Sequence, residues 1–170
     1  IYYYGMNAGT WNRAANSESD DPMTKRVVYR SEVSTTDPRE NGKIAETSFA
    51  IQYGKGNEIA AYTYNYDPYD AVQTAAQATT HYIYEGGATA QQAGLKAALR
   101  EQRTFDGQHF DPSAGEPLNT VIFIGEKGKE KVDKIIDRKG SIQQYNYDSN
   151  GTVGTPPDAA AVGDIDPETL

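Results

Sequence analysis

The 170-residue sequence predicts a single α/β domain spanning 1–170, three-layered, with a mostly parallel sheet and an antiparallel edge hairpin. Three observations lead there. "TVIFI" (120–124) is an unbroken β-branched and aromatic run, the kind buried on both faces of a parallel sheet. Segments with helical spacing stand on either side of it, and alternation of helices with buried strands signals a sheet covered on both faces. "KIAETSFAIQYG" and "EIAAYTYNY", joined by "GKGN", read as two alternating strands around a tight turn. The length suits one domain with a sizeable core.

The elements follow in order. "IYYY" (1–4) reads as a buried strand and 5–22, rich in Gly, Asn and Ser, as a loop. In 23–33, Val27, Val28 and Tyr29 favour a strand while Asp21-Pro22 favours a helix start; helix is the reading adopted. A loop at 35–42 leads to the hairpin 43–66, with Tyr62, Tyr64 and Tyr66 on one face. Val72, Ala75, Ala76, Thr79 and Ile83 make a helical stripe over 68–83. "YEGGAT" then turns the chain into a second helix, 89–103. A polar loop, 104–119, precedes the strand 120–124. Val132, Ile135 and Ile136 mark an amphipathic helix over 128–140 that Gly140 ends. "SIQQYNYDSNGTVG" (141–154) reads as a hairpin turning at Asn150-Gly151. One more short strand is expected before Asp166-Pro167, which looks like a helix start, so the sequence reads as a fragment cut there. A first residue of Ile1 rather than Met agrees with processing or fragmentation.

Composition narrows the partners. A net charge of −8 argues against nucleic acid, which needs a basic footprint, and against an anionic membrane surface. No apolar run has the length of a membrane span. With no cysteine there is no disulfide, thiolate or zinc–cysteine chemistry. Tyrosine is abundant, 13 residues, and tyrosine is at home at protein interfaces. On the surface hairpin, Tyr145 and Tyr147 are therefore expected to make protein contacts. The sequon Asn150-Gly151-Thr152 points toward secretion.

The hairpin, the helix, the "GGAT" turn (86–89), the next helix and the buried strand, taken in order, resemble a von Willebrand factor A domain. "AVGDIDPETL" looks like that family's late strand and acidic turn. The resemblance covers the chain from about residue 43 onward and implies a site for Mg²⁺ or Ca²⁺ at the carboxyl ends of the strands. Its ligands would be Thr89, with Asn7 and Glu126 where the family has Asp-x-Ser-x-Ser and a second Asp. Gly5 and Gly9 stand at other ligand positions, so the implied site is degenerate and the resident cofactor expected is none, with Mg²⁺ or Ca²⁺ as the ion to test.

Other motifs have simpler explanations. "IGEKGKE" (124–130) lacks the glycine spacing and the hydroxyl residue of a phosphate loop. His81 and His109 belong to no recognisable catalytic motif. The expected function is a non-enzymatic adhesion or protein-binding module, extracellular or at the cell surface, acting through loops at the carboxyl ends of the strands. The alternative is a structural subunit of a polymer or multi-protein assembly that keeps a vestigial metal site and makes contact through the Tyr-rich hairpin. A hydrolase with its site in 104–119 is a third reading that no motif supports.

Overall fold

The chain is all-β. The computed structural model describes residues 1–7, 10–13, 16–30, 42–69 and 75–147. Their strands are β1 (Tyr2–Asn7), β2 (Thr10–Arg13), β3 (Met23–Tyr29), β4 (Lys43–Ala50), β5 (Ile59–Asn65), β6 (Ala78–Tyr84), β7 (Leu99–Asp106), β8 (Asn119–Ile124), β9 (Lys131–Asp137) and β10 (Ile142–Gln144). They form one ten-stranded sheet in the order β10-β9-β8-β7-β6-β5-β4-β3-β1-β2, every pairing antiparallel. From β3 to β10 it is a meander, each strand hydrogen-bonded to its neighbour in sequence. No α-helix occurs among the described residues; Glu85–Gly87 is a single 3-10 turn.

This overturns the three-layer, mostly parallel α/β expectation, and with it the von Willebrand A resemblance, whose fold needs helices on both faces. The reasons are local. Met23–Tyr29 is a strand because Val27, Val28 and Tyr29 suit a pleated surface and β4 supplies a partner. Helical spacing in 68–83 masks a period of two: Thr79, His81 and Ile83 alternate as the buried positions of β6. Residues 70–74 of that expected helix lie outside the described residues. In 89–103 the alanine-rich half is a compact loop and the rest is β7. The expected helix 128–140 is β9, with Val121 paired to Ile135 and Thr120 to Ile136. Gly140, expected at a helix end, has φ +84 in the β9–β10 turn.

Other expectations survive in altered form. The hairpin 43–66 exists as β4 and β5, but in the sheet interior rather than at an edge. "TVIFI" is a strand within an antiparallel sheet, half-buried rather than covered on both sides. Residues 10–13, expected as loop, form β2. The turn at Asn150-Gly151, the sequon and the expected terminal strand and helix lie outside the described residues.

The tightest apolar cluster joins Ala50, Ile59, Ala61 and Tyr84 to Ala90 and Ala93 of the loop after β6. Small side chains let that loop lie against the strands. Polar groups tie it down: Gln52 Nε2 donates to the Ala90 carbonyl (2.7 Å), Tyr53 OH to Ala93 (3.0 Å) and Glu85 N–H to Ala98 (2.9 Å). Tyr84 OH donates to the Ala60 carbonyl at 2.8 Å, and burial pushes that phenol well above its ordinary range.

Candidate functional site

Strand register decides which side chains meet. Residues directly opposite on paired strands share a face. Tyr62 opposes His81, His81 opposes Arg103, and Thr79 opposes Phe105. Farther along, Glu101 opposes Ile122, while Arg103 opposes Thr120, which opposes Ile136. One face from β5 to β9 thus carries Tyr62, His81, Phe105, the Glu101–Arg103 ion pair, Ile122 and Ile136.

The β7–β8 connection folds back over this face. Gly107, at φ +64, starts the reversal, and its N–H donates to the Gln77 carbonyl at 2.7 Å. Thr79, fully buried, clasps the loop from both sides: its hydroxyl donates to the Gly107 carbonyl (2.7 Å) and accepts from the His109 N–H (2.9 Å). His81 Nε2 is 3.0 Å from the His109 carbonyl, so this nitrogen carries the proton and donates. The His109 ring stacks on Phe105 with centroids 4.1 Å apart and planes 4° from parallel, and His81 meets Phe105 edge-on at 5.8 Å. Asp111 closes an Asx turn, accepting from Ser113 N–H (2.8 Å) and Oγ (2.6 Å). Those bonds hold the exposed Asp111 carboxyl below its ordinary range.

Between this loop and β7, β8 and β9 runs a groove of about 370 Å³. Phe105, Ile122, Ile136, Pro112 and Pro117 make it largely apolar, and Glu101 and Arg103 lie in it. Arg103 grips Glu101 Oε2 through Nε (2.8 Å) and a terminal nitrogen (2.7 Å), and its other terminal nitrogen donates to the Pro112 carbonyl at 3.3 Å. The groove's charges are therefore neutralised from within. Pro112 also lines a second, smaller pocket of about 140 Å³ with Tyr62, His81, Phe110 and Thr89. Phe110 stands on its rim, 76% exposed.

The residues singled out from sequence fall as follows. Asn7 ends β1, opposite Thr10; Thr89 follows β6; Glu126 follows β8. Because β1, β6 and β8 run the same way, all three lie at one end of the sheet. They are not together, however. Their strands are ninth, fifth and third in the order, so at ~4.8 Å per strand β6 lies ~19 Å from β1 and ~10 Å from β8, measured along the sheet. Ligands of one Mg²⁺ sit ~2 Å from the ion. Thr89 instead organises a turn: its N–H and hydroxyl both reach Gln92 Oε1 at 3.2 Å, and its carbonyl accepts from Ala93 N–H at 2.8 Å. Glu126 faces Lys129 at 3.8 Å in the exposed β8–β9 turn. Among the described residues no three His, Asp or Glu side chains cluster as a metal site requires.

Tyr145 and Tyr147 are half-buried against β9. The Tyr145 N–H donates to the Asp133 carbonyl (2.8 Å) and Tyr147 OH to the Val132 carbonyl (2.7 Å), with Lys131 Nζ 4.9 Å above the Tyr147 ring. Sequence reasoning did not single out Arg103, Phe110 or the partnership of His81 with His109. The signal available was alternation in "ATTHYIY" and "LREQRTFD", which puts His81 and Arg103 on faces that a paired sheet can match.

No protein-family model matches the chain, and no curated protein or solved structure is significantly similar to it. Among the described residues no helix is long and apolar enough to cross a membrane.

Proposed function

We propose that the chain is a non-enzymatic protein-binding module, extracellular or surface-associated, that takes a segment of a partner protein in the groove under loop 107–117. The observation that supports this is the groove itself: apolar walls around an internally paired arginine, with the exposed Phe110 close by. Aromatic residues and arginine are the side chains that dominate protein interfaces. The polar groups here hold the loop. His81 binds a backbone carbonyl and Ser113 binds Asp111, which fits positioning rather than turnover.

Selection of a phage-displayed peptide library on the immobilised protein tests the reading near neutral pH. Enriched peptides are expected to lose about tenfold or more in affinity on Phe110→Ala or Ile136→Asp, the loss of a single interface anchor. No enrichment, or peptides indifferent to both substitutions, would sink it.

A second reading is a subunit of a larger assembly. β10 favours it: among the described residues it is one of the two outermost strands, all three of its residues are exposed, and Ile142 is 62% exposed. Strands in that position recruit further strands. Solution mass decides: a strict monomer at high concentration excludes self-assembly.

A further inference from the structure

Loop 107–117 forms the outer wall of the groove, yet its attachment to β6 depends on three side chains: Thr79, His81 and the stacked His109. His81 is 5% exposed. Its Nε2–H is already bound to the His109 carbonyl, so a second proton must enter on Nδ1, among the rings of Tyr62 (5.9 Å) and Phe105. The His109 ring lies 6.0 Å away, and its Nδ1 is buried with no hydrogen-bond partner among the described residues. The groups facing the pair are few. β5 contributes Tyr62 and Tyr64; β7 contributes Arg103, opposite His81 and paired to Glu101; the loop contributes Asp111. Besides the His109 carbonyl, Asp111 favours a His81 cation, and it is exposed and engaged by Ser113.

We propose that His81 is an acid-opened latch: its protonation detaches residues 107–112 from β6 and dismantles the groove wall, so that a partner held near neutral pH is released on acidification. The regulation of binding rests on the groove being the binding site; the opening of the loop does not. A cation on His81 would be desolvated, with its second N–H placed among the rings of Tyr62 and Phe105. Burial accordingly holds His81 below its ordinary 6.5, against a smaller opposing effect of the His109 carbonyl. In the open loop His81 regains solvent and its ordinary value. The closed form is therefore favoured above 6.5, and below it the opening equilibrium rises about tenfold per pH unit until the closed form also protonates.

Backbone hydrogen exchange on the whole chain without any partner, corrected for intrinsic rates, tests the latch. Between pH of about 7.5 and about 5 the Gly107 and His109 amides should lose protection by about tenfold per unit in the titrating range, while β5 amides (59–65) hold theirs. The double substitution His81→Gln, His109→Phe keeps an amide donor for the carbonyl at position 109 and an aromatic ring on Phe105 but removes the His81 titration and the second imidazole beside it. Its loop protection should not change with pH. Wild-type protection that is flat with pH, or an acid response that survives in the double variant, overturns the proposal. If the variant does not fold, the histidine ring-proton titration of the wild type decides: the loop amide shifts must share the His81 midpoint, below 6.5, and a different midpoint overturns the latch. Peptides selected near neutral pH should dissociate on acidification from the wild type and not from the double variant. Failure to select any peptide removes the groove reading and leaves the exchange result to judge the latch alone.

Discussion

Single side chains hold much of this sheet together by capturing backbone groups. Thr79 serves two loop groups with one hydroxyl. Thr79→Val keeps the shape but leaves the Gly107 carbonyl and the His109 N–H unpaired, which should cost about 1–3 kcal/mol in urea unfolding; Thr79→Ser should recover most of it. Glu130 does similar service at the other end, with Oε1 accepting from Leu99 N–H (3.2 Å) and Oε2 from Gly128 N–H (2.6 Å). Glu58 accepts from Met23 N–H at 2.9 Å. Burial alone would raise both carboxyls, but these N–H bonds outweigh it and hold them below the ordinary 4.5. Their stabilisation is present above that value and is lost as pH falls through the depressed native values. His81 has the opposite charge but the same direction of loss, beginning below 6.5. Urea midpoints measured against pH should thus fall in two steps on acidification, with Glu130→Gln diminishing the lower one and His81→Gln the upper one.

At the scale of elements, the β8–β9 turn is the least forgiving. Gly125 has φ +108, and a Cβ there would meet the Lys129 carbonyl oxygen at 2.8 Å, a backbone atom that cannot swing aside. Gly128, three residues on, has φ +79 and nothing within 4 Å. Gly128→Ala should therefore cost only the roughly 1–2 kcal/mol of a left-handed alanine, and Gly125→Ala that amount plus the cost of the clash with the Lys129 carbonyl. Equal losses in melting temperature would contradict this. Elements also show what was legible. "KIAETSFAIQYGKGNEIAAYTYNY" announces its hairpin because the partner strand is adjacent in sequence and the turn glycines separate two β-rich runs. "KVDKIID" does not. Val132, Ile135 and Ile136 suit one helical face as well as they suit a strand, and the tie is broken by β8, whose edge must be paired. Of the candidate site, the histidines were visible as residues but not as a pair, since 28 positions separate His81 from His109.

For the whole molecule, the sheet order decides which residues can share a site. Far-UV circular dichroism should show a spectrum dominated by β structure, as the ten strands of the described residues require. Millimolar Mg²⁺ should shift the melting temperature of wild type and Thr89→Ala alike, because strand order keeps Asn7, Thr89 and Glu126 apart; a stabilisation abolished only in Thr89→Ala would contradict it. The sequence by itself determined the hairpin 43–66, the strand 120–124 and the net charge of −8, because each depends on neighbouring residues or on summed composition. Only the tertiary structure decided that the helix-like segments are strands and that the loop after β7 roofs a groove. Strand pairing is a contact between segments. A stretch that fits two local conformations takes the one that satisfies its backbone groups against a neighbour, and that neighbour is not written in the stretch itself.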